Sequence, residues 1–209
     1  MKPRIAFPIA LLLAALAGGE PLDRVAVTVG NRVITESALL LDLRVTAFIN
    51  QAPLDFGPAA KRAEAERLVD LILINKEAAD SHLVLAGVDQ PVLLAALRAR
   101  FRAEQEYQAE MARYGIRESD VNAHMQASAR TMAFSDLRFR PTTQISEEDL
   151  RAYYDKLVAG RPSDGASFEA GRAQIEDLLR GQRALEALDE WLKMQRKVVR
   201  IDYRERVFQ

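Results

Sequence analysis

The chain has 209 residues, 49% hydrophobic and 28% charged, so a core of ordinary globular size can form without metals or disulfides. Its 29 basic and 30 acidic residues leave a formal net charge of -1. That balance argues against nucleic-acid binding, which normally requires a clustered basic excess. The sequence contains no cysteine, which excludes disulfides, thiol catalysis, Cys-based metal sites and a lipid-modified N-terminal cysteine.

The N-terminus has the pattern of an export signal. Lys2 and Arg4 precede an apolar run that ends near Leu16, and small residues follow. The run is shorter than the roughly 20 residues that span a bilayer. This order predicts a signal peptide over residues 1–19 and export of residues 20–209 to a bacterial periplasm, with an uncleaved anchor or a fully secreted product as the alternatives. No later segment predicts stable membrane insertion after signal cleavage.

The first elements after the signal form a predicted β-hairpin. Val25 to Val29 is short and β-branched, Gly30-Asn31 favours a tight turn, and Arg32 to Thr35 is the returning strand. The hydroxyl of Thr35 is placed to cap a helix from about residue 36 to residue 50.

Three further helices are predicted in the middle of the chain. Pro58 suits the first turn of a long helix, whose wide apolar stripe predicts contact with more than one neighbour. The next helix is predicted as one piece from Gln90 to Tyr114, ended by a left-handed Gly115. Another follows over about residues 118–138.

The C-terminal part begins with a capping pattern at Ser146 to Asp149 and a short helix to Leu157. Residues 160–166 have the composition of a linker. A long helix over residues 167–197 follows, and Gly181 inside it suggests close packing or a bend. Its apolar stripe at helical spacing predicts burial of one continuous face. The members of that stripe are Phe168, Ile175, Leu178, Leu185, Leu188 and Leu192.

The tail over residues 198–208 has an alternating pattern that predicts a strand. This strand is expected to pair with the N-terminal hairpin. The predicted fold class is therefore mainly α: one helical module with a small β-sheet formed by the hairpin and the C-terminal strand.

The sequence contains no recognisable arrangement of catalytic residues. His82 and His124 have no metal-ligand spacing, and the acidic residues after Ser146 fit helix capping better than a carboxylate pair. No phosphate-binding glycine loop or nucleophile elbow is present. The sequence therefore predicts no catalytic residues, no metal, no cofactor and no enzyme activity.

Aromatic and methionine side chains interrupt the charged helices and are the candidates for a client-binding groove. Methionine suits a surface that accepts varied partners because its side chain is flexible and polarisable. The alternative for any one of these side chains is that it belongs to the core. The seven candidates are Phe48, Tyr107, Met111, Tyr114, Met125, Met132 and Phe134.

Four segments, in order, resemble SurA-type periplasmic chaperones. They are VTVGNRVIT at 27–35, LVDLILINKEA at 68–78, ISEEDLRAYYD at 145–155, and the helix and strand over 175–201. In that family a parvulin-type isomerase domain of about 90 residues, within the usual domain range, follows the third segment. Here about a dozen residues separate Tyr154 from Phe168, so the resemblance is to the SurA N-terminal module without its isomerase domain.

The resemblance implies an ATP-independent holding chaperone for unfolded outer-membrane or envelope polypeptides. Two alternatives stay open: a scaffold or adaptor with one fixed partner in an envelope complex, and a residual prolyl isomerase. The sequence leaves the oligomeric state open, including a homo-oligomer.

Overall fold

The protein is described by a computed structural model over residues 23–85, 90–158 and 168–209. It is mainly α-helical with a small antiparallel sheet, as predicted. The helices are α1 (Glu36–Ile49), α2 (Pro58–Asp80), α3 (Gln90–Arg98), α4 (Glu104–Tyr114), α5 (Glu118–Arg138), α6 (Glu147–Val158) and α7 (Phe168–Val198). The strands are β1 (Val25–Val29), β2 (Arg32–Thr35) and β3 (Ile201–Tyr203). The predicted signal peptide, the 160–166 linker and Ser167, the first residue of the predicted long helix, lie outside the described residues.

The sheet joins the two ends of the described chain. Its strand order is β2-β1-β3, and β1 is antiparallel to both neighbours. Of the two turn residues, Gly30 takes a positive φ of 56° and its amide donates to the carbonyl of Arg200 over 2.9 Å. The Thr35 hydroxyl accepts from the amide of Ala38 over 3.3 Å and caps α1. Pairing of the hairpin with the C-terminal strand is thus confirmed.

The C-terminal strand is shorter than the sequence suggested. Pairing ends at Tyr203, and residues 205–208 form a 3-10 turn. This turn buries Val207 and Phe208, because it folds back over α2 instead of continuing along the sheet edge. Arg62 of α2 lies over the rings of Tyr203 and Phe208, 3.9 Å and 5.3 Å from their centroids.

One hydrophobic cluster, here called the sheet cluster, lies between the sheet, α2 and the ends of α5 and α7. Trp191 packs at its edge, with its ring centroid 5.3 Å from that of Phe134. Its buried residues are Ala26, Val27, Val29, Ile34, Leu39, Ala65, Val69, Leu73, Ile74, Ala78, Phe134, Leu188, Leu192, Val207 and Phe208.

A second cluster, here called the aromatic cluster, lies between the C-terminal half of α1, α3, α4 and the start of α5. Its centre is a set of rings around Phe48, each with centroids within 6 Å of that ring. Its buried residues are Val45, Ala47, Phe48, Leu97, Tyr107, Met111, Tyr114, Ile116 and Val121.

The prediction of a single helix over residues 90–114 is wrong, because the helix is interrupted between the end of α3 at Arg98 and the start of α4 at Glu104. The break contains no proline or glycine. It allows Phe101 to stack on Phe48 with centroids 5.6 Å apart and 14° between planes. The Arg100 guanidinium also donates to the carbonyl of Ile49 over 2.7 Å. Contacts with α1 therefore outweigh the local preference for a continuous helix.

The predicted continuous burial along α7 is also wrong. Ile175, Leu188 and Leu192 are buried, but Leu178 and Leu185 are 41% and 40% exposed. These two side chains keep helical spacing, but the elements that the structure describes cover them only in part. A Cβ built at Gly181 would meet nothing within 4 Å in the part of the chain that the structure describes, so the close packing suggested there is not found.

The start of α6 confirms the predicted cap. The amide of Asp149 donates to the Ser146 hydroxyl over 3.1 Å, and the amide of Ser146 donates to Asp149 Oδ2 over 3.2 Å. The Ser146 hydroxyl donates to Asp149 Oδ2 over 2.7 Å, and this bond together with the one from the Ser146 amide lowers the pKa of Asp149. Helix α6 packs on α7, where the rings of Tyr154 and Phe168 meet edge to face at 5.4 Å. Asp149 therefore serves helix capping, and Glu147 pairs with Arg172 of α7 over 2.6 Å.

Candidate functional site

Four of the seven predicted client-binding residues come together, but inside the molecule. Phe48, Tyr107, Met111 and Tyr114 all belong to the aromatic cluster and are at most 7% exposed. The Tyr114 hydroxyl donates to the carbonyl of Ala52 over 2.7 Å, which ties α4 to the end of α1. In this conformation these side chains form core, and a bound segment could not contact most of their surface.

The other three predicted residues lie apart from one another. Met125 packs half-buried against the aromatic cluster. Phe134 is fully buried in the sheet cluster, and Met132 is 53% exposed. Of the seven, Met132 is therefore the side chain that offers substantial apolar surface to solvent.

A small cavity of about 370 Å³ lies beside the aromatic cluster. Phe48, Phe101 and Tyr114 contribute to its lining, but five charged side chains surround them. Those five are Arg100, Arg102, Glu106, Glu110 and Arg113. Its mixed charges partly satisfy each other, since Arg113 lies 3.2 Å from Glu110.

A larger open groove, here called the hairpin groove, runs between the hairpin, the C-terminal half of α2 and α5. Its volume is about 750 Å³, within the usual range for ligand sites. It is lined by Val29, Gly30, Asn31, Arg32, Val33, Ile72, Leu73, Asn75, Lys76, Ala79, Asp80, Arg130 and Val199. None of the seven sequence-predicted residues lies in it.

The apolar part of the hairpin groove is accessible. Val33 is 53% exposed on the outer face of β2, and Ile72 and Val199 are half-buried. Cross-strand pairing puts Val33 opposite Thr28, while its neighbour Ile34 pairs with Val27 toward the core. Successive side chains of β2 point to opposite faces, so the strand has one buried face and one face that is available for contact.

The charged part of the groove is predominantly positive. Lys76 pairs with Asp80 one turn along α2, which raises the pKa of Lys76. Arg32 and Arg130 are exposed, and neither has an ion-pair partner among the residues that the structure describes. Most other arginines in the described ranges pair with a carboxylate, so two free guanidinium groups along one groove stand out.

A buried polar network crosses the molecule between the two clusters. Arg67 of α2 pairs with Asp42 of α1 and, over 2.6 Å, with Glu64. His124 Nδ1 of α5 lies 2.8 Å from Asp42 Oδ1, and the Thr46 hydroxyl donates to Glu64 over 3.3 Å. These side chains link three helices.

The electrostatics of this network follow from burial. Burial and the Arg67 guanidinium lower the pKa of His124 to about 4, although the nearby Asp42 alone would favour the imidazolium. Burial also raises the pKa of Glu64. A neutral His124 then donates from Nδ1 to Asp42. The one hydroxyl among these side chains, that of Thr46, donates to Glu64, and the polar contacts join α1, α2 and α5, so we assign the network a structural role.

Sequence reasoning missed the hairpin groove because its residues are common types spread over β1, β2, α2, α5 and residue 199. One signal was present: Arg32 and Val33 are consecutive in a short strand that pairs on one side only. An edge strand with exposed apolar and basic side chains is a recognisable docking feature once the strand order is known.

The chain matches no protein-family model, and no curated protein matches it. Across residues 23–85, 90–158 and 168–209, no helix is long and apolar enough to cross a membrane. No group of three or more His, Asp or Glu side chains in those ranges is placed to hold a metal ion.

Proposed function

We propose that the chain is a non-enzymatic, ATP-independent holding chaperone of the periplasm. It binds unfolded outer-membrane or envelope polypeptides in the hairpin groove. The observation that carries the proposal is this open groove of about 750 Å³, with exposed Val33 on one wall and half-buried Ile72 and Val199 beside it. A shallow, partly apolar groove suits segments that expose apolar side chains only while they are unfolded.

Two sequence features support the same function. The order of four segments resembles SurA-type chaperones, and the predicted signal peptide would deliver the chain to the compartment where such clients pass. The short connection between Tyr154 and Phe168 leaves no room for an isomerase domain of that family. Binding alone, without turnover, is therefore the proposed activity.

The affinity that this activity requires is modest. A dissociation constant of about 1 µM corresponds to about -8 kcal/mol. Burying one valine-sized side chain contributes on the order of 1.5–3 kcal/mol. A few apolar contacts together with backbone hydrogen bonds can therefore supply it, even after the cost of ordering the client segment.

The test is dilution of a urea-denatured outer-membrane β-barrel protein, with and without the purified chain, followed by light scattering. We expect aggregation to be suppressed at near-stoichiometric amounts, and the same result with an unrelated denatured client. Suppression of neither client would contradict the proposal. Tight binding of one folded envelope partner without suppression would instead support the adaptor function.

A matched pair of variants locates the activity. Val33→Asp places a charge in the hairpin groove, whereas Val84→Asp places the same charge on a side chain that is 87% exposed outside it. We expect several-fold weaker suppression for Val33→Asp and no change for Val84→Asp. Equal effects of the two substitutions would show that the groove is not the client site.

A further inference from the structure

The charges that line the hairpin groove indicate which polypeptide segments it would bind. The two free guanidinium groups, Arg32 on β2 and Arg130 on α5, reach it from two different elements. The one carboxylate in its lining, Asp80, is already paired with Lys76. The groove therefore presents two positive charges that nothing in the described chain neutralises.

Beside these charges the groove also has polar side chains that can form hydrogen bonds with the backbone of an extended segment. The side-chain amides of Asn31 and Asn75 are exposed at the groove, and each offers both donors and an acceptor. Neither amide has a hydrogen-bond partner in the part of the chain that the structure describes. Such amides can pair with the N–H and C=O groups of a bound segment.

The edge of β2 provides a further backbone site. In a hairpin with a two-residue turn, the flanking pair, here Val29 and Arg32, is the hydrogen-bonded one. The next pair, Thr28 and Val33, is then non-hydrogen-bonded, so the N–H and C=O of Val33 point away from β1. Because β2 is an edge strand, those groups face outward, where an added strand can pair with them.

We propose that the hairpin groove binds an extended polypeptide segment in which Asp or Glu residues stand among apolar residues. The segment pairs with the edge at Val33, its apolar side chains contact Ile72 and Val199, and its carboxylates pair with Arg32 and Arg130. Guanidinium groups favour carboxylate side chains in the bound segment, because they bind carboxylates through two parallel hydrogen bonds. This inference rests on the proposed function and names the class of client segment.

The test compares two labelled peptides of about ten residues by fluorescence anisotropy with the full chain. One carries two Glu residues among Thr and Val, and the other carries Gln at those two positions. Two exposed charge pairs predict about five- to tenfold tighter binding of the Glu peptide. The preference should shrink as ionic strength rises from about 50 to 500 mM, because salt screens exposed charges.

A charge-matched control separates local pairing from net charge. Arg32→Ser with Arg130→Ser removes the two groove cations, whereas Arg204→Ser with Arg206→Ser removes two exposed cations outside the groove lining. We expect the first double variant to lose the preference for Glu over Gln and the second to keep it. Equal binding of both peptides, or equal loss in both variants, would overturn the inference.

Three further outcomes separate a failure of this inference from a failure of the proposed function. Aggregation suppression that persists in Arg32→Ser/Arg130→Ser, with no Glu preference in the unaltered chain, sinks this inference and leaves the chaperone proposal intact. Preferential Glu-peptide binding without any suppression sinks the chaperone proposal and leaves the groove as a specific peptide site. Binding of anionic lipid vesicles through Arg32 and Arg130, with no peptide binding, overturns the peptide assignment.

Discussion

The two hydrophobic clusters differ in how much of the chain each one needs. The sheet cluster brings Val27 near the start together with Phe208 near the end. The aromatic cluster uses side chains between Val45 and Val121 only. Closing a long loop costs more conformational entropy than closing a short one. The sheet cluster therefore depends on the whole described chain, whereas the aromatic cluster depends on α1, α3, α4 and the start of α5.

The polar network of Asp42, Glu64, Arg67 and His124 lies between these clusters. On α1, Asp42 falls between Leu39 of the sheet cluster and Val45 of the aromatic cluster. The core is therefore one continuous series of contacts along α1, with a charged segment in its middle. Cooperative unfolding of the two clusters then depends on that segment.

The largest expected effect tests the sheet cluster. Leu188→Asp puts a carboxylate at a side chain that is 5% exposed, which costs several kcal/mol of unfolding free energy and can prevent folding. Leu185→Asp, on the same helix but 40% exposed, should cost less than about 1 kcal/mol. Urea unfolding followed by Trp191 fluorescence measures both, because that ring packs at the cluster edge. Similar midpoints for the two variants would contradict the burial pattern of α7.

The next effect tests the aromatic cluster. Phe48→Ala removes the ring that Phe101, Tyr107 and Tyr114 contact, which should cost about 3–5 kcal/mol. Hydrogen exchange should accelerate most in α3 and α4, while Trp191 fluorescence keeps its native spectrum. A loss below about 1 kcal/mol would show that these rings form a surface and not a core, which would restore them as candidate client contacts.

A moderate effect tests the network between the clusters. Folding lowers the pKa of His124 to about 4, against about 6.5 in an unfolded chain. The unfolded chain therefore binds more protons between those values, so the free energy of unfolding falls as the pH drops from about 6.5 to 4. We expect His124 to account for about 1–3 kcal/mol of this loss, with Asp42 reducing it.

His124→Gln is the control for this pH dependence. Its amide can still donate to Asp42 but does not titrate, so the stability curve should flatten below about pH 6.5. Glu64 acts in the opposite direction, since burial raises its pKa and its contribution falls as the pH rises. Parallel pH profiles for the unaltered chain and His124→Gln would contradict the assigned shift.

The smallest effect sharpens the contrast between exposed and packed parts of α7. Gly181→Ala should raise the unfolding free energy by about 1 kcal/mol, because alanine is the better helix former and its Cβ would meet open space. Gly115→Ala should lower it by a similar amount, since Gly115 ends α4 with a φ of 65°. Thermal unfolding measures both. A destabilised Gly181→Ala would reveal packing at that position.

Local chemistry made much of the fold predictable. Thr35, the Gly30 turn, Pro58 and the Ser146 cap each act through neighbours in sequence, and the helix over residues 118–138 begins and ends as predicted. The candidate site was not predictable in this way. The aromatic and methionine pattern indicated apolar surface, but a side chain's exposure depends on which helices meet there.

Local sequence is enough to place most helix ends, the hairpin turn and the strand in the tail, because caps, turns and periodicity act between neighbours in the chain. Tertiary packing interrupts the helix around Phe101, leaves Leu185 exposed while Leu188 is buried, and turns Phe48 and its partners inward. It also places Arg32 and Arg130 along one groove. These outcomes depend on contacts between segments far apart in the chain, which no local pattern encodes.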